Sequence, residues 1–144
     1  KLRTTFALFF VAFGFTACIN NLDFVLPLQE GTWDVDRYQA VTEIAGDTIT
    51  DITFDNAGTL VFEKDGTGIA NLDVTGNMQD DQEITWSFDK EEATLTIDWQ
   101  DGGDPWVFDV IEQDLSRVLV RRIEATTILG IENRNIREME LIKE

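Results

Sequence analysis

The sequence has no histidine, a single cysteine and only eleven basic residues. Histidine is the commonest metal ligand and the usual general base near neutral pH. Without histidine, the chain cannot form a Ser-His-Asp triad or a Cys-His catalytic pair, and it lacks the usual ligand of a catalytic zinc ion. The lone cysteine cannot form an intramolecular disulfide. We therefore expect no enzyme activity, no catalytic residues, no metal site and no cofactor.

The scarcity of basic residues makes the chain strongly acidic, with 28 Asp and Glu and a net charge of −17. Lys1 and Arg3 belong to an N-terminal segment that we expect to be removed, which leaves nine basic residues against 28 acidic ones and a net charge of −19. Such a charge repels phosphate backbones, so nucleic acid is excluded as a partner. Ten Phe and four Trp supply enough apolar area for one core.

The first eighteen residues have the order of a secretory signal. A basic start precedes a nearly all-apolar run from Phe6 to Phe15, and small residues then lead to Cys18. The run of about ten residues is too short to span a membrane as a helix, which takes about twenty. We predict that residues 1–17 are a removable signal peptide.

The end of this segment resembles the lipobox of bacterial lipoproteins, in which a cysteine is acylated and becomes the new N-terminus. Phe15-Thr16-Ala17-Cys18 departs from that pattern in Phe15, where Leu is usual. The resemblance implies lipidation of Cys18, a lipidated tether over 18–27 and attachment to a membrane through the acyl chains. It also implies a cell-envelope location, with outer-membrane placement facing the periplasm because Ile19 replaces the Asp of inner-membrane retention signals. The alternatives are an ordinary signal with a chance cysteine and a hydrophobic N-terminal helix packed in the core.

From Gly31 onward, short runs of alternating apolar and polar residues are separated by Gly, Asp and Asn. A period of two is typical of half-buried strands joined by tight turns. The stretch 124–135 shows no such run and is expected to hold a helical turn at 128–131. The runs lie at 33–41, 48–54, 59–63, 69–74, 84–88, 95–99, 106–110, 116–123 and 137–141.

Sequential runs with short links favour an all-β fold built as an antiparallel up-and-down meander of about eight strands. A meander of that size removes its exposed edges by closing, or nearly closing, into a barrel. Such a barrel has an interior that side chains fill or that holds one small ligand. A two-sheet sandwich fits the same pattern and is the alternative.

Gly31-Thr32-Trp33 and the later Asp65-Gly66-Thr67-Gly68 turn resemble the lipocalin-like (calycin-type) domains of Bacteroidetes lipoproteins over residues 28–144. In that family Gly-x-Trp begins the first strand of an eight-stranded barrel. The resemblance implies that Gly31 and Trp33 close one barrel end and that an arginine near the last strand lies across Trp33. The candidates are Arg121, Arg122 and Arg137, of which Arg122 is our prediction.

Four aromatic residues on the apolar faces of consecutive strands are the candidate ligand-binding residues: Trp86, Trp99, Trp106 and Phe108. Such faces are typical of a core, but they also line pockets. Arg121 and Arg122 point to opposite faces of one strand, so one of them enters the barrel, where it would suit an anionic ligand. We predict a non-enzymatic binding module for a small hydrophobic or amphipathic ligand. The alternative is a filled barrel that docks on an envelope protein partner.

Overall fold

The computed structural model describes residues 28–74 and 81–144. The predicted signal peptide, the lipidation site Cys18 and the tether 18–27 lie outside these residues. Within them there is no helix, and so no helix long and apolar enough to cross a membrane.

The fold is a closed antiparallel barrel of eight strands in sequence order. Each strand pairs with the next, and the first pairs with the last, so that Trp33 lies opposite Leu60 on one side and Lys143 on the other. Closure satisfies the backbone groups that edge strands would leave exposed. The predicted meander and barrel are therefore confirmed, and the sandwich alternative is wrong. The strands are β1 (Gly31–Ile44), β2 (Asp47–Phe62), β3 (Thr67–Leu72), β4 (Gln82–Asp89), β5 (Thr94–Trp99), β6 (Trp106–Gln113), β7 (Arg117–Ile128) and β8 (Ile131–Lys143).

Two sequence predictions about strand limits are wrong. The runs 48–54 and 59–63 form one strand, β2, which passes through Asn56 and Gly58 at positive φ. The predicted helical turn at 128–131 is a two-residue hairpin in which Leu129 and Gly130 have φ of 53° and 80°. Positive φ at both central residues suits the twist of a strand pair. The hairpin was not visible in the sequence because no alternating core-facing apolar residues mark this part of its strands.

The barrel interior is packed with apolar side chains. Alternate residues of each strand point inward, as the period of two requires. Trp33, Leu60 and Leu141 are almost completely buried near one end, and Phe108 and Met139 are equally buried further along. The interior between them therefore has no room for a ligand of ordinary size.

Four strands are much longer than the other four. β1, β2, β7 and β8 have 12 to 16 residues, whereas β3 to β6 have 6 to 8. Since the long strands are neighbours, their excess length forms a four-stranded sheet that continues the barrel wall past one end. We call residues 38–54 and 122–137 the sheet extension. Its inner face continues the inner face of the barrel.

Candidate functional site

One end of the barrel, which we call the closed end, is capped by Trp33. Its ring is 2% exposed, and its Nε1 donates a hydrogen bond of 2.9 Å to the backbone oxygen of Gln29. Gly31 begins the strand there, at a φ of 126°. The cation across the ring is Lys143, whose Nζ lies 5.6 Å from the ring centroid and donates to Gln29 Oε1. The prediction of Arg122 is wrong, because the register places Lys143 beside Trp33 and Arg122 opposite Arg137.

Trp86 also belongs to the closed end. Its ring lies 4.8 Å from that of Phe62, and its Nε1 donates to the backbone oxygen of Glu63. It borders a cleft of about 560 Å³ whose other walls include Lys64 and Lys143. The structure therefore separates Trp86 from the other three predicted ligand-binding residues.

Those three residues come together at the opposite end, which we call the mouth. Trp99 and Trp106 meet edge to face with centroids 4.8 Å apart, and Trp106 lies 6.0 Å from Phe108. Phe108 is fully buried, whereas both tryptophans are partly exposed and line a cleft of about 300 Å³ with Leu72 and Val74. This volume is at the lower end of the range for ligand sites.

Two arginines face the same interior from the sheet extension. Arg122 on β7 and Arg137 on β8 are directly opposite each other, so their side chains share one face. The Arg137 guanidinium lies 5.4 Å from the ring centroid of Trp106. Arg122 forms an ion pair with Glu124, two residues along the same strand.

Tyr38 on β1 lies opposite Met139, on the same inner face as Arg137, and is almost fully buried. Burial raises the pKa of Tyr38 above its ordinary value, and the positive charges of Arg137 and Arg122 offset part of this effect. The side chain is therefore a neutral hydroxyl at physiological pH. Its ring contacts Phe54 on β2, with centroids 6.4 Å apart.

Buried polar atoms without hydrogen-bond partners occur at the mouth. Among the described residues, Trp99 Nε1 and Arg122 Nη1 are two such donors, and Asp73 Oδ1, on the loop that follows β3, is such an acceptor. Buried donors without partners are uncommon because each loses its hydration without compensation. The corresponding Nε1 atoms of Trp33 and Trp86 do have partners. The mouth is thus able to donate hydrogen bonds to an acceptor and to attract negative charge.

The acidic residues at the mouth do not form a metal centre. No group of three or more His, Cys, Asp or Glu side chains in residues 28–74 and 81–144 is arranged to hold a metal ion. Asp101 and Asp104 are exposed on the loop between β5 and β6, and Asp101 accepts a hydrogen bond from the backbone of Gly103. These carboxylates belong to a solvated turn that also borders the cleft at the mouth.

The ligand-binding residues predicted from the sequence did not include Arg137 and Tyr38. Leu141 and Met139 face inward, and Arg137 is the next residue of the same alternation. The period of two in the sequence could therefore have predicted the inward position of Arg137. Tyr38 had no such signal, because an irregularity between Val35 and Arg37 shifts the alternation of β1 by one residue.

The chain matches no protein-family model and no curated protein.

Proposed function

We propose that this protein is a non-enzymatic binding module whose barrel mouth takes a small amphipathic ligand. The observation that carries the proposal is the pair Trp99 and Trp106, which remain partly exposed beside a cleft while the interior behind them is packed. Partly exposed aromatic rings favour an apolar group, and the unpartnered Trp99 Nε1 favours an acceptor on the same molecule.

The packed interior decides where the ligand lies. Deep binding would have to displace fully buried side chains such as Phe108 and Met139. Binding at the mouth displaces none of them, and it uses the inner face of the sheet extension as a second wall. The proposal is therefore a shallow site between Trp106 and the extension, with the core serving as its support.

We further propose that the protein is a lipoprotein of the cell envelope, held on the outer membrane and facing the periplasm through acylated Cys18. Leu28 and Gln29 lie at the closed end, beside Trp33 and Lys143. A tether that arrives at this end would direct the closed end to the bilayer. The mouth and the sheet extension would then face away from the membrane.

Ligand binding is tested by titrating the full chain with 1-decanol while following tryptophan fluorescence. We expect a saturable change that Trp106→Ala abolishes and Trp86→Ala preserves, because Trp86 lies at the closed end. Absence of a saturable change, or an equal loss in both variants, would contradict binding at the mouth.

The anchor is tested by mass spectrometry of protein extracted from membranes. We expect an N-terminal Cys18 that carries acyl chains, and a Cys18→Ser variant that leaves the membrane fraction. A mature chain that starts elsewhere, or that lacks acyl mass, would refute the anchor.

A second candidate function is docking on an envelope protein partner through the sheet extension. Leu129, at its tip, is 98% exposed and has a positive φ, a combination that the fold itself does not require. Other large apolar residues of the extension are also exposed: Ile44, Ile49, Ile52, Ile123, Ile128 and Ile131. Exposed apolar patches mark interaction sites. A photo-crosslinker at position 129 should give a discrete adduct in cells, whereas one at Lys64 on the closed end should not.

A further inference from the structure

We infer that the ligand of the mouth is an anion whose carboxylate or phosphate group lies between Arg122 and Arg137, with its apolar part against Trp106. This inference rests on the proposed binding function and specifies the chemical class of the ligand. The observations that support an anionic ligand are the pairing of the two arginines across β7 and β8, their burial and the residues around them.

Arg137 is an exception among the arginines. Four others lie on the outer face of the barrel, and each forms an ion pair with a glutamate: Arg37, Arg117, Arg121 and Arg134. In the part of the chain that the structure describes, no carboxylate lies within ion-pair distance of Arg137. An inward-facing guanidinium thus lacks a carboxylate even though the chain has 28 acidic residues. The guanidinium instead lies over the ring of Trp106.

Arg122 adds a second positive charge directly opposite the first. Like charges at opposed positions of a strand pair destabilise the pair. One carboxylate, that of Glu124, pairs with Arg122 Nη2, while Arg122 Nη1 is buried without a hydrogen-bond partner among the described residues. The side chain of Arg122 is 15% exposed, so water screens it only weakly. Two guanidiniums and one carboxylate leave one positive charge that an anion would balance.

The stacking of Arg137 on Trp106 suits a head-and-tail ligand. A guanidinium that lies over an aromatic ring still presents N–H groups at its edge, where a carboxylate or phosphate accepts them in pairs. The same Trp106 ring lines the cleft at the mouth, whose other walls include the apolar Leu72 and Val74 and also Asp101 and Asp104. Tyr38 lies nearby as a neutral hydroxyl that is able to donate a further hydrogen bond. An anionic head on Arg137 would therefore have its tail beside Trp106.

The test compares decanoate with 1-decanol, which has the same chain length and no charge, and with acetate, which has the charge and no tail. The full chain, Arg137→Gln and Arg121→Gln are titrated by calorimetry at neutral pH. Arg121→Gln is the matched control, because it removes the same charge from the outer face of β7. We expect decanoate to bind roughly tenfold more tightly than decanol, the factor of one charge-assisted hydrogen bond.

In Arg137→Gln we expect the affinity for decanoate to fall to that for decanol, and in Arg121→Gln we expect the preference to remain. Acetate binding that is lost in Arg137→Gln would also support the anion site. Equal affinities for decanoate and decanol in the unaltered chain would overturn the inference and leave the proposed function standing. Absence of saturable binding of either probe would overturn both.

Protein stability supplies a second readout. If Arg137 serves a ligand, Arg137→Gln should change the urea midpoint little, because the lost contact with Trp106 is offset by removal of a like charge opposite Arg122. A clearly lower midpoint would assign Arg137 a structural role and overturn the inference. Arg137→Lys keeps the charge but not the paired donors, so we expect it to retain part of the preference for decanoate.

Discussion

Several tryptophan and basic side chains have hydrogen-bond partners at the closed end of this barrel, whereas some at the mouth lack such partners in the part of the chain that the structure describes. At the closed end, the Nε1 atoms of Trp33 and Trp86 donate to backbone oxygens, and Lys143 donates to Gln29. At the mouth, Trp99 Nε1 has no partner among the described residues, and Arg137 has no carboxylate there. The tryptophan Nε1 atoms of the closed end are therefore paired within the fold, whereas a tryptophan Nε1 and an inward-facing guanidinium at the mouth are not paired within residues 28–74 and 81–144.

The turns show the same difference. Each of the three closed-end turns carries an aspartate whose carboxylate accepts backbone N–H groups: Asp65, Asp89 and Asp114. The two hairpins at the tip of the sheet extension place Ala45-Gly46 and Leu129-Gly130 at positive φ. Asn, Asp and Gly are favoured at such positions, so Ala45 and Leu129 are costly choices for the fold. Ala45 and Leu129 at the tip of the extension are thus features that stability does not explain.

Truncation of one tryptophan at each end should distinguish the two ends most clearly. Trp33→Ala should lower the free energy of unfolding by about 3–5 kcal/mol, because it empties a fully packed position. Trp106→Ala should cost clearly less, because its ring is partly exposed. Urea denaturation measures both. Equal losses would show that the two ends contribute alike to stability.

A pair of glycine substitutions compares the barrel wall with the tip of the extension. Gly58 has a φ of 123°, and a Cβ at this residue would lie 1.9 Å from the backbone oxygen of Asn71. Gly58→Ala should therefore lower the free energy of unfolding by roughly 2–4 kcal/mol, from strain and overpacking together. A Cβ on Gly46 would meet no atom within 4 Å, at a φ of 88°, so Gly46→Ala should cost only the strain, about 1–2 kcal/mol. A larger loss at Gly46 in thermal unfolding would mean that the tip is more constrained than the wall.

The extension should also be open to stabilisation, unlike the closed end. Leu129→Asn should raise the free energy of unfolding by about 0.5–1 kcal/mol, because Asn tolerates the positive φ at this position. Leu129→Val, which keeps the site apolar but is β-branched, should lower it. The melting temperatures of the two variants check this. If both substitutions destabilise, the leucine side chain contributes to the fold.

The smallest expected effect concerns pH and a closed-end turn. Backbone hydrogen bonds from Ser116 and Arg117 lower the pKa of Asp114. Since the folded pKa lies below the unfolded value, the stabilisation is fully present above the ordinary Asp pKa of about 4 and is lost as pH falls through the folded pKa. The Tm difference between the unaltered chain and Asp114→Asn should therefore shrink below about pH 4. Asp65→Asn should behave alike, because Thr67 lowers the pKa of Asp65 in a similar turn. Parallel pH curves would show that these carboxylates do not support the turns.

Much of the barrel could be predicted from residue patterns. Ile84 to Phe88 and Leu95 to Trp99 alternate strictly, and the structure places them in adjacent strands as expected. The patterns failed at 124–135, where the strands of the extension are exposed on both faces and no apolar alternation marks them. The candidate site was predicted in part. Trp99, Trp106 and Phe108 do meet, but Trp86 lies at the other end and Arg122 does not cover Trp33.

The residue pattern established that this chain forms strands in sequential order, and it favoured closure into a barrel over a two-sheet sandwich. The strands follow from the period of two and from local turn residues, both of which are written along the chain. The place of Trp33 at one barrel end was implied by the resemblance at Gly31-Thr32-Trp33. Only the tertiary structure decided which cation covers Trp33 and which arginine is left without a carboxylate. Those outcomes depend on the register between β1 and β8 and between β7 and β8, where the paired residues are far apart in sequence. A shift of one residue would reverse which side chains face inward.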